Sequence, residues 1–132
     1  MTDISDTIYE RQARLCQTLT DPKRLKLLQA LRAGERSVGD LTVAIDASST
    51  NVSQHLAVLR DAGLVATRRQ GTSIYYRLAY PAIMEACDII HGILRTQLVD
   101  AAALIGRAQA ESTGGRDADD ARAHRGRTPS GA

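Results

Sequence analysis

The amino-acid sequence predicts a mainly α-helical fold with one β-hairpin, in the order α-α-α-α-β-β-α. Three observations carry that expectation. Apolar residues recur at helical spacing in four punctuated stretches between positions 4 and 59. The period then drops to about two on either side of Gln70-Gly71-Thr72, and past Tyr80-Pro81 the helical period returns.

Ile4, Ile8, Leu15 and Leu19 mark a first helix ending near residues 18–20. Asp21-Pro22 follows as an N-cap with Pro at the first helical position, where an N–H would have no partner in any case. This second helix sets Leu25, Leu28 and Leu31 on one face with Leu27 beside them, and Gly34 stops it. Ser37, with Asp40 three residues later, is a capping-box-like start in which Asp takes the usual Glu or Gln place. It leads a short third helix through Leu41 and Ile45. Ser48 or Ser49 caps a fourth, with Val52, Leu56 and Leu59 facing inward and Gly63 ending it. LVATRR and SIYYRL are β-prone runs joined by a tight turn in which Gly71 supplies a positive φ. Strand alternation turns one of Tyr75 and Tyr76 inward and the other outward; packing is the expected role of both and of Tyr80. Ile83, Cys87, Ile90, Leu94, Leu98, Ala101 and Ile105 mark one face of a long last helix.

Length and composition bound what these elements can build. The 132 residues suffice for one domain, and a 43% hydrophobic content without Phe or Trp means an aliphatic core. Composition shifts after Gly106: residues 107–132 hold mixed charges and no Leu, Ile or Val. That stretch cannot bury enough apolar surface to offset its ordering entropy, so a polar and largely disordered tail is expected after a folded domain over residues 1–106. The net charge of +2, from 17 basic and 15 acidic residues, creates no global positive field. Any nucleic-acid chemistry must be local. The acidic, polar start has no apolar leader-like region, and no apolar run anywhere approaches the roughly 18 residues a membrane span needs, so a cytoplasmic location is expected. The two cysteines, Cys16 and Cys87, form neither CxxC nor a zinc-finger cluster, which argues against a disulfide scaffold.

Two short helices over residues 38–44 and 49–61, joined by a tight connection, form a helix-turn-helix pattern. The second offers Ser49, Thr50, Asn51, Ser53, Gln54 and His55 near its N-terminus, with Ser48 just before it. Amides can pair with adenine in a major groove, short hydroxyls reach base edges or phosphate, and a helix N-terminus favours an anion. Arg60, Arg68, Arg69 and Arg77 follow, against only Asp61 between residues 60 and 80. Arg68 and Arg69 precede the hairpin tip at Thr72, as expected of a wing laid along the sugar-phosphate backbone. A solvated polar helix is the bland alternative for each piece alone; their order together points to DNA.

The stretches LTDPKRLKLLQALRAGERSVGDL and SSTNVSQHLAVLRDAGLVATRRQGTSIYYRL resemble the ArsR/SmtB family of winged helix-turn-helix repressors over residues 19–78. The resemblance implies a homodimer joined by its first and last helices, bound to double-stranded operator DNA at an imperfect inverted repeat and released by a small inducer. Residues 48–55 would read the DNA and residues 68–72 would form the wing. Family members that sense soft metals through the third helix carry ELCVCDL, whereas this chain reads ERSVGDL, with Ser37 and Gly39 in place of two thiolates. Without sulfur ligands that site cannot work. The zinc-type site of the last helix is also unmatched, because Asp88 and His91 stand at the wrong spacing.

Cys16 and Cys87 remain as sensor candidates, one on each presumed dimerisation helix. Packing of those helices could bring them within the roughly 4.4–6.8 Å Cα separation of a disulfide. A reversible disulfide or polysulfide bridge, formed by an oxidant or a reactive sulfur species, would then shift the spacing of the two reading heads. Family members that sense persulfides through a cysteine pair place the first thiol on the second helix, where this chain has Leu28 or Gln29, so the analogy is partial. Two other readings stay open: a soft metal or metalloid held by Cys16, Cys87 and His91, the last two being i and i+4 on one helix face, and inert packing of both thiols. No Gly-rich phosphate loop or GxSxG elbow is present, so neither an enzyme nor a cofactor is expected. A winged helix serving only protein interaction is the remaining class.

Overall fold

The computed structural model of the chain describes residues 4–125, and side chains through residue 113. Its elements are α1 (Ile4–Thr18), α2 (Pro22–Leu31), β1 (Arg36–Ser37), α3 (Val38–Ile45), α4 (Ser49–Asp61), β2 (Val65–Gln70), β3 (Ser73–Leu78) and α5 (Ile83–Arg125). They fall into two compact units divided between Cys87 and Asp88.

α2, α3 and α4 each start where a side chain can accept an orphan N–H. The Asp21 carboxylate accepts from Lys23 N at 2.8 Å and Arg24 N at 3.4 Å, ahead of Pro22. Ser37 Oγ accepts from Asp40 N and Ser48 Oγ from Asn51 N, both at 3.2 Å, which settles Ser48 over Ser49 as the cap of α4. Such caps satisfy donors that the helix itself cannot. Arg24 Nε donates to Thr18 O at 2.7 Å and ties the end of α1 to the start of α2. The end of α4 is a Schellman turn: Gly63, at φ 76°, donates to Arg60 O, and Leu64 N donates to Leu59 O at 3.0 Å.

The core is aliphatic, as the composition requires. Leu27, Leu28, Leu31, Leu41, Val52, Leu56 and Leu59 are buried from α2, α3 and α4, joined by Leu64, Val65, Met84 and Cys87. Leu25 is only half-buried; the inward face of α2 is centred on Leu27, Leu28 and Leu31. The expected stripe on α1 is divided: Leu15 and Leu19 pack on the core, while Ile4 and Ile8 are 78% and 58% exposed.

β2 and β3 form the expected hairpin, in a register that runs from Val65 opposite Leu78 to Gln70 opposite Ser73. Its two-residue turn has Gly71 at φ 60°, the first central position, as a type II′ turn demands. A third strand was not legible: β1 pairs antiparallel with β3, Arg36 opposite Tyr76 and Ser37 opposite Tyr75, giving the order β1-β3-β2. Two residues are too few to show alternation. Tyr76 packs on the core and Tyr75 lies on the opposite face. Tyr80, expected to pack, is instead 67% exposed, because it sits in the connection to α5 rather than in the strand.

α5 continues past the composition break at Gly106 through Arg125. Ala, Gln, Glu and Arg dominate residues 107–111 and are strong helix formers, so a stretch unable to build a core can still continue a helix. The expected tail thus overlaps α5 as far as Arg125, and residues 126–132 lie outside the described residues. Within α5 the span Ile83–Thr113 is long and apolar enough to cross a membrane by length and composition alone, with mean hydropathy 1.3. No apolar run of that length is visible in the sequence, because Asp88, His91, Arg95, Gln97 and Asp100 interrupt it, while the many Ile, Leu, Val and Ala residues keep the mean high. Ile90, Leu94, Leu98 and Ile105 on this helix are exposed.

Leu56 sits at the centre of the buried face of α4 and is fully inaccessible. Leu56→Ala is expected to lower unfolding free energy by about 2–5 kcal/mol, read from the denaturant midpoint at unchanged slope.

Candidate nucleic-acid interface

α3 and α4 are separated by Asp46, Ala47 and Ser48. Asp46 takes a left-handed conformation, at φ 52° and ψ 59°, which turns the chain sharply into α4. With Val52, Leu56 and Leu59 committed to the core, helical geometry presents Ser49, Thr50, Ser53 and Gln54 to solvent. These four, with Ala57, line one shallow depression on the outer face of α4. Ser48 is also exposed, its hydroxyl already engaged in capping.

Two residues expected to read DNA are placed differently. Asn51 is half-buried on the flank of α4. His55 has a side chain only 17% exposed, with Nε2 3.9 Å from the Asp21 carboxylate at the start of α2. The spacing explains this: His55 lies one helical turn before Leu59 and leans towards the same buried side. Burial pushes the Asp21 carboxyl up, but its hydrogen bonds from Lys23 and Arg24 and the neighbouring His55 and Arg24 outweigh that and hold it below its ordinary value.

Arg60 is exposed on the last turn of α4, and Arg68, Arg69 and Thr72 are exposed on the hairpin. Arg68 and Arg69 nonetheless have different surroundings. Arg68 Nε donates to both Glu35 carboxylate oxygens at 3.1 and 3.2 Å, and Nη2 donates to Glu35 Oε2 at 2.9 Å. Its Nη1 donates to Gln70 Oε1 at 2.9 Å, and the guanidinium carbon stands 5.1 Å from the centroid of the Tyr75 ring. Arg69 makes no side-chain hydrogen bond or ion pair among the described residues. Glu35 was missed by sequence reasoning, since it lies 33 positions from Arg68 and only the pairing of β1 with β3 brings it near.

Neither cysteine is in a disulfide. Cys16 is exposed on α1 and Cys87 is buried in the core at 8% exposure. Among the described residues no group of three or more His, Cys, Asp or Glu is placed to hold a metal ion.

A family model for bacterial regulatory proteins of the arsR family matches residues 21–67, from the cap of α2 into β2. The HTH-type transcriptional regulator Rv0081 of Mycobacterium tuberculosis is 37% identical over 102 residues, covering 76% of this chain and 90% of that protein. The chain belongs to the arsR family. Another relative of this arsR-family chain is the biofilm growth-associated repressor of Agrobacterium fabrum, 42% identical over 61% of the chain and 69% of the repressor. The crystal structure of Rv0081 superposes with TM-score 0.64 at 38% identity over 70% of this chain and 94% of that one. The homodimeric winged helix-turn-helix DNA-binding domain of Mb0332 from Mycobacterium bovis gives 0.66 at 30% identity over 74% and 91%. The arsR-family chain is therefore a transcriptional regulator with a winged helix-turn-helix fold, not an enzyme.

The Glu35 carboxyl is held below its ordinary value, first by the hydrogen bonds from Arg68, against opposing burial, and then by the charges of Arg68 and Arg77. A depressed carboxyl contributes stability above its unfolded value and loses it as pH falls through the folded one. Acid titration of Glu35→Gln should therefore lack a small part of the wild-type loss of stability below the usual carboxylate range, an effect limited by the solvent exposure of the pair. Superimposable acid limbs would show that the pair contributes nothing.

Proposed function

We propose that this arsR-family regulator is a homodimeric repressor that binds an imperfect inverted repeat in double-stranded DNA and loses affinity when Cys16 and Cys87 are oxidised or bridged by sulfur. The observation that carries the DNA reading is the outer face of α4: Ser49, Thr50, Ser53 and Gln54 stand exposed at the N-terminal half of a rigidly seated helix, beside an Arg-bearing hairpin. Ser48, Asn51 and His55 belong to the same helix start, as cap and flank, and Arg60, Arg69 and Thr72 extend the surface to either side. The reading places base contacts on α4 and backbone contacts on the hairpin.

Dimerisation is supported by the exposed apolar residues of α1 and α5, Ile4, Ile8, Ile90, Leu94 and Leu98 among them, which a second copy would cover. The homodimeric state of the Mb0332 domain supports dimerisation as such. Repression is taken from the repressor relatives, and a cytoplasmic location goes with the proposed action on DNA. The thiol reading rests on the two cysteines' different environments. Cys16 is exposed and open to attack, while Cys87 is packed where a new covalent bond would disturb the core.

Two measurements test these assignments. Gln54→Ala should change base preference at one position of each half-site, by about 1–3 kcal/mol of discrimination, when the sequences enriched from a random duplex pool are compared. An unchanged preference would remove Gln54 from the groove. Treatment with polysulfide or diamide should weaken DNA binding by roughly 5- to 150-fold, with Cys16→Ser and Cys87→Ser both resistant and mass spectrometry of the intact protein reporting the bridge. Equal induction in wild type and both variants would make the thiols structural.

A further inference from the structure

The hairpin carries two consecutive arginines, and strand geometry sends them to opposite faces. Arg69, opposite Ile74, shares a face with Val65, Thr67, Tyr76 and Leu78 but lies beyond the core near the exposed tip. Arg68, opposite Tyr75, lies on the other face, where β1 brings Glu35 alongside. All three nitrogens of its guanidinium donate, two to Glu35 and one to Gln70, over the Tyr75 ring. A planar fork used in this way is a strut, because its geometry fixes both partners, whereas a lysine would supply the charge without the fork.

We propose that the two arginines divide the work of the wing: Arg69 gives its charge to the DNA backbone, while Arg68 is a positioning residue that braces the hairpin against the Glu35 segment. The inference rests on the DNA-binding reading above and refines it, since both arginines were first expected on the sugar-phosphate backbone. For Arg68 to reach a phosphate it would have to leave a bidentate carboxylate, a side-chain amide and an aromatic face together. Arg69 has no such partners to leave among the described residues. Glu35 in turn cancels the field of Arg68 locally, so the net positive charge of this segment falls to Arg69 and Arg77.

The experiment uses the full-length chain and a duplex that wild type enriches from a random-sequence pool. Affinity is measured across a salt series for wild type, Arg69→Gln, Arg68→Gln and Arg68→Lys, after thermal melting has shown that each variant is folded. Loss of one phosphate contact lowers the slope of log K against log salt by about 0.9. Arg69→Gln is expected to show that drop. Arg68→Gln and Arg68→Lys are both expected to bind about threefold to fivefold more weakly at every salt concentration, with the wild-type slope, as for loss of an exposed bracing pair. The Arg68 Nε–H resonance should also keep its free-state position on addition of DNA and move in Glu35→Gln, while that of Arg69 moves with DNA. A slope drop in Arg68→Gln with recovery in Arg68→Lys overturns the division of labour, as does wild-type affinity in both Arg68 variants. Failure of wild type to enrich any duplex overturns the DNA reading itself, and the division of labour with it.

Discussion

What α4 shows to solvent is decided by what it hides. Val52, Leu56 and Leu59 are buried with Leu27, Leu28, Leu31 and Leu41, all aliphatic and none with a hydrogen bond to satisfy. Shifting the buried face by one residue turns the helix by roughly 100° and would bring Ser53 and Arg60 inward, where a hydroxyl or charge without a partner is costly. The aliphatic seat therefore fixes the rotation of the helix, and the polar row on its other side follows. A core without Phe or Trp achieves this through many small, well-defined side chains rather than a few large rings.

Short polar contacts then set the positions of the elements around that seat. Asp21 caps α2 and faces His55 of α4, and Arg24 holds the end of α1, so three helices meet at one polar junction. Glu35 and Arg68 do the corresponding work for the sheet, joining the residue before β1 to β2 across β3. Ser37 gains a meaning from this arrangement. At a position where the resembling metal sensors carry a thiolate, this chain has a hydroxyl that accepts from Asp40 N and starts α3. The departure from the family motif is thus a working helix cap.

The proposed thiol reading puts inducer chemistry on the helices that carry Cys16 and Cys87. Cys87 is part of the packed core, so its modification would be felt by Met84, Leu56 and their neighbours, whereas Cys16 is exposed on a helix with no fully buried residue. A thiol pair of this kind joins one exposed position to one packed position. Under the proposed thiol reading that asymmetry would suit a chemical switch, in which the exposed group would meet the inducer and the buried group would transmit the strain.

Local signals in the sequence determined most of the architecture. Asp21-Pro22, Ser37, Ser48, Gly63 and Gly71 each act on backbone groups within a few residues, so their effects can be read without knowing the fold. The helical period of Val52, Leu56 and Leu59 likewise named the buried face of α4, and by subtraction the outer row of Ser49, Thr50, Ser53 and Gln54. Tertiary structure alone decided the rest. β1 is too short to carry a pattern, His55 turns to an aspartate on another helix, and Arg68 meets a glutamate 33 residues away. Periodicity and caps are local physics, whereas the partner of a charged side chain is chosen by which elements the core brings together. For that reason the two arginines of the wing are equivalent as letters and different as side chains.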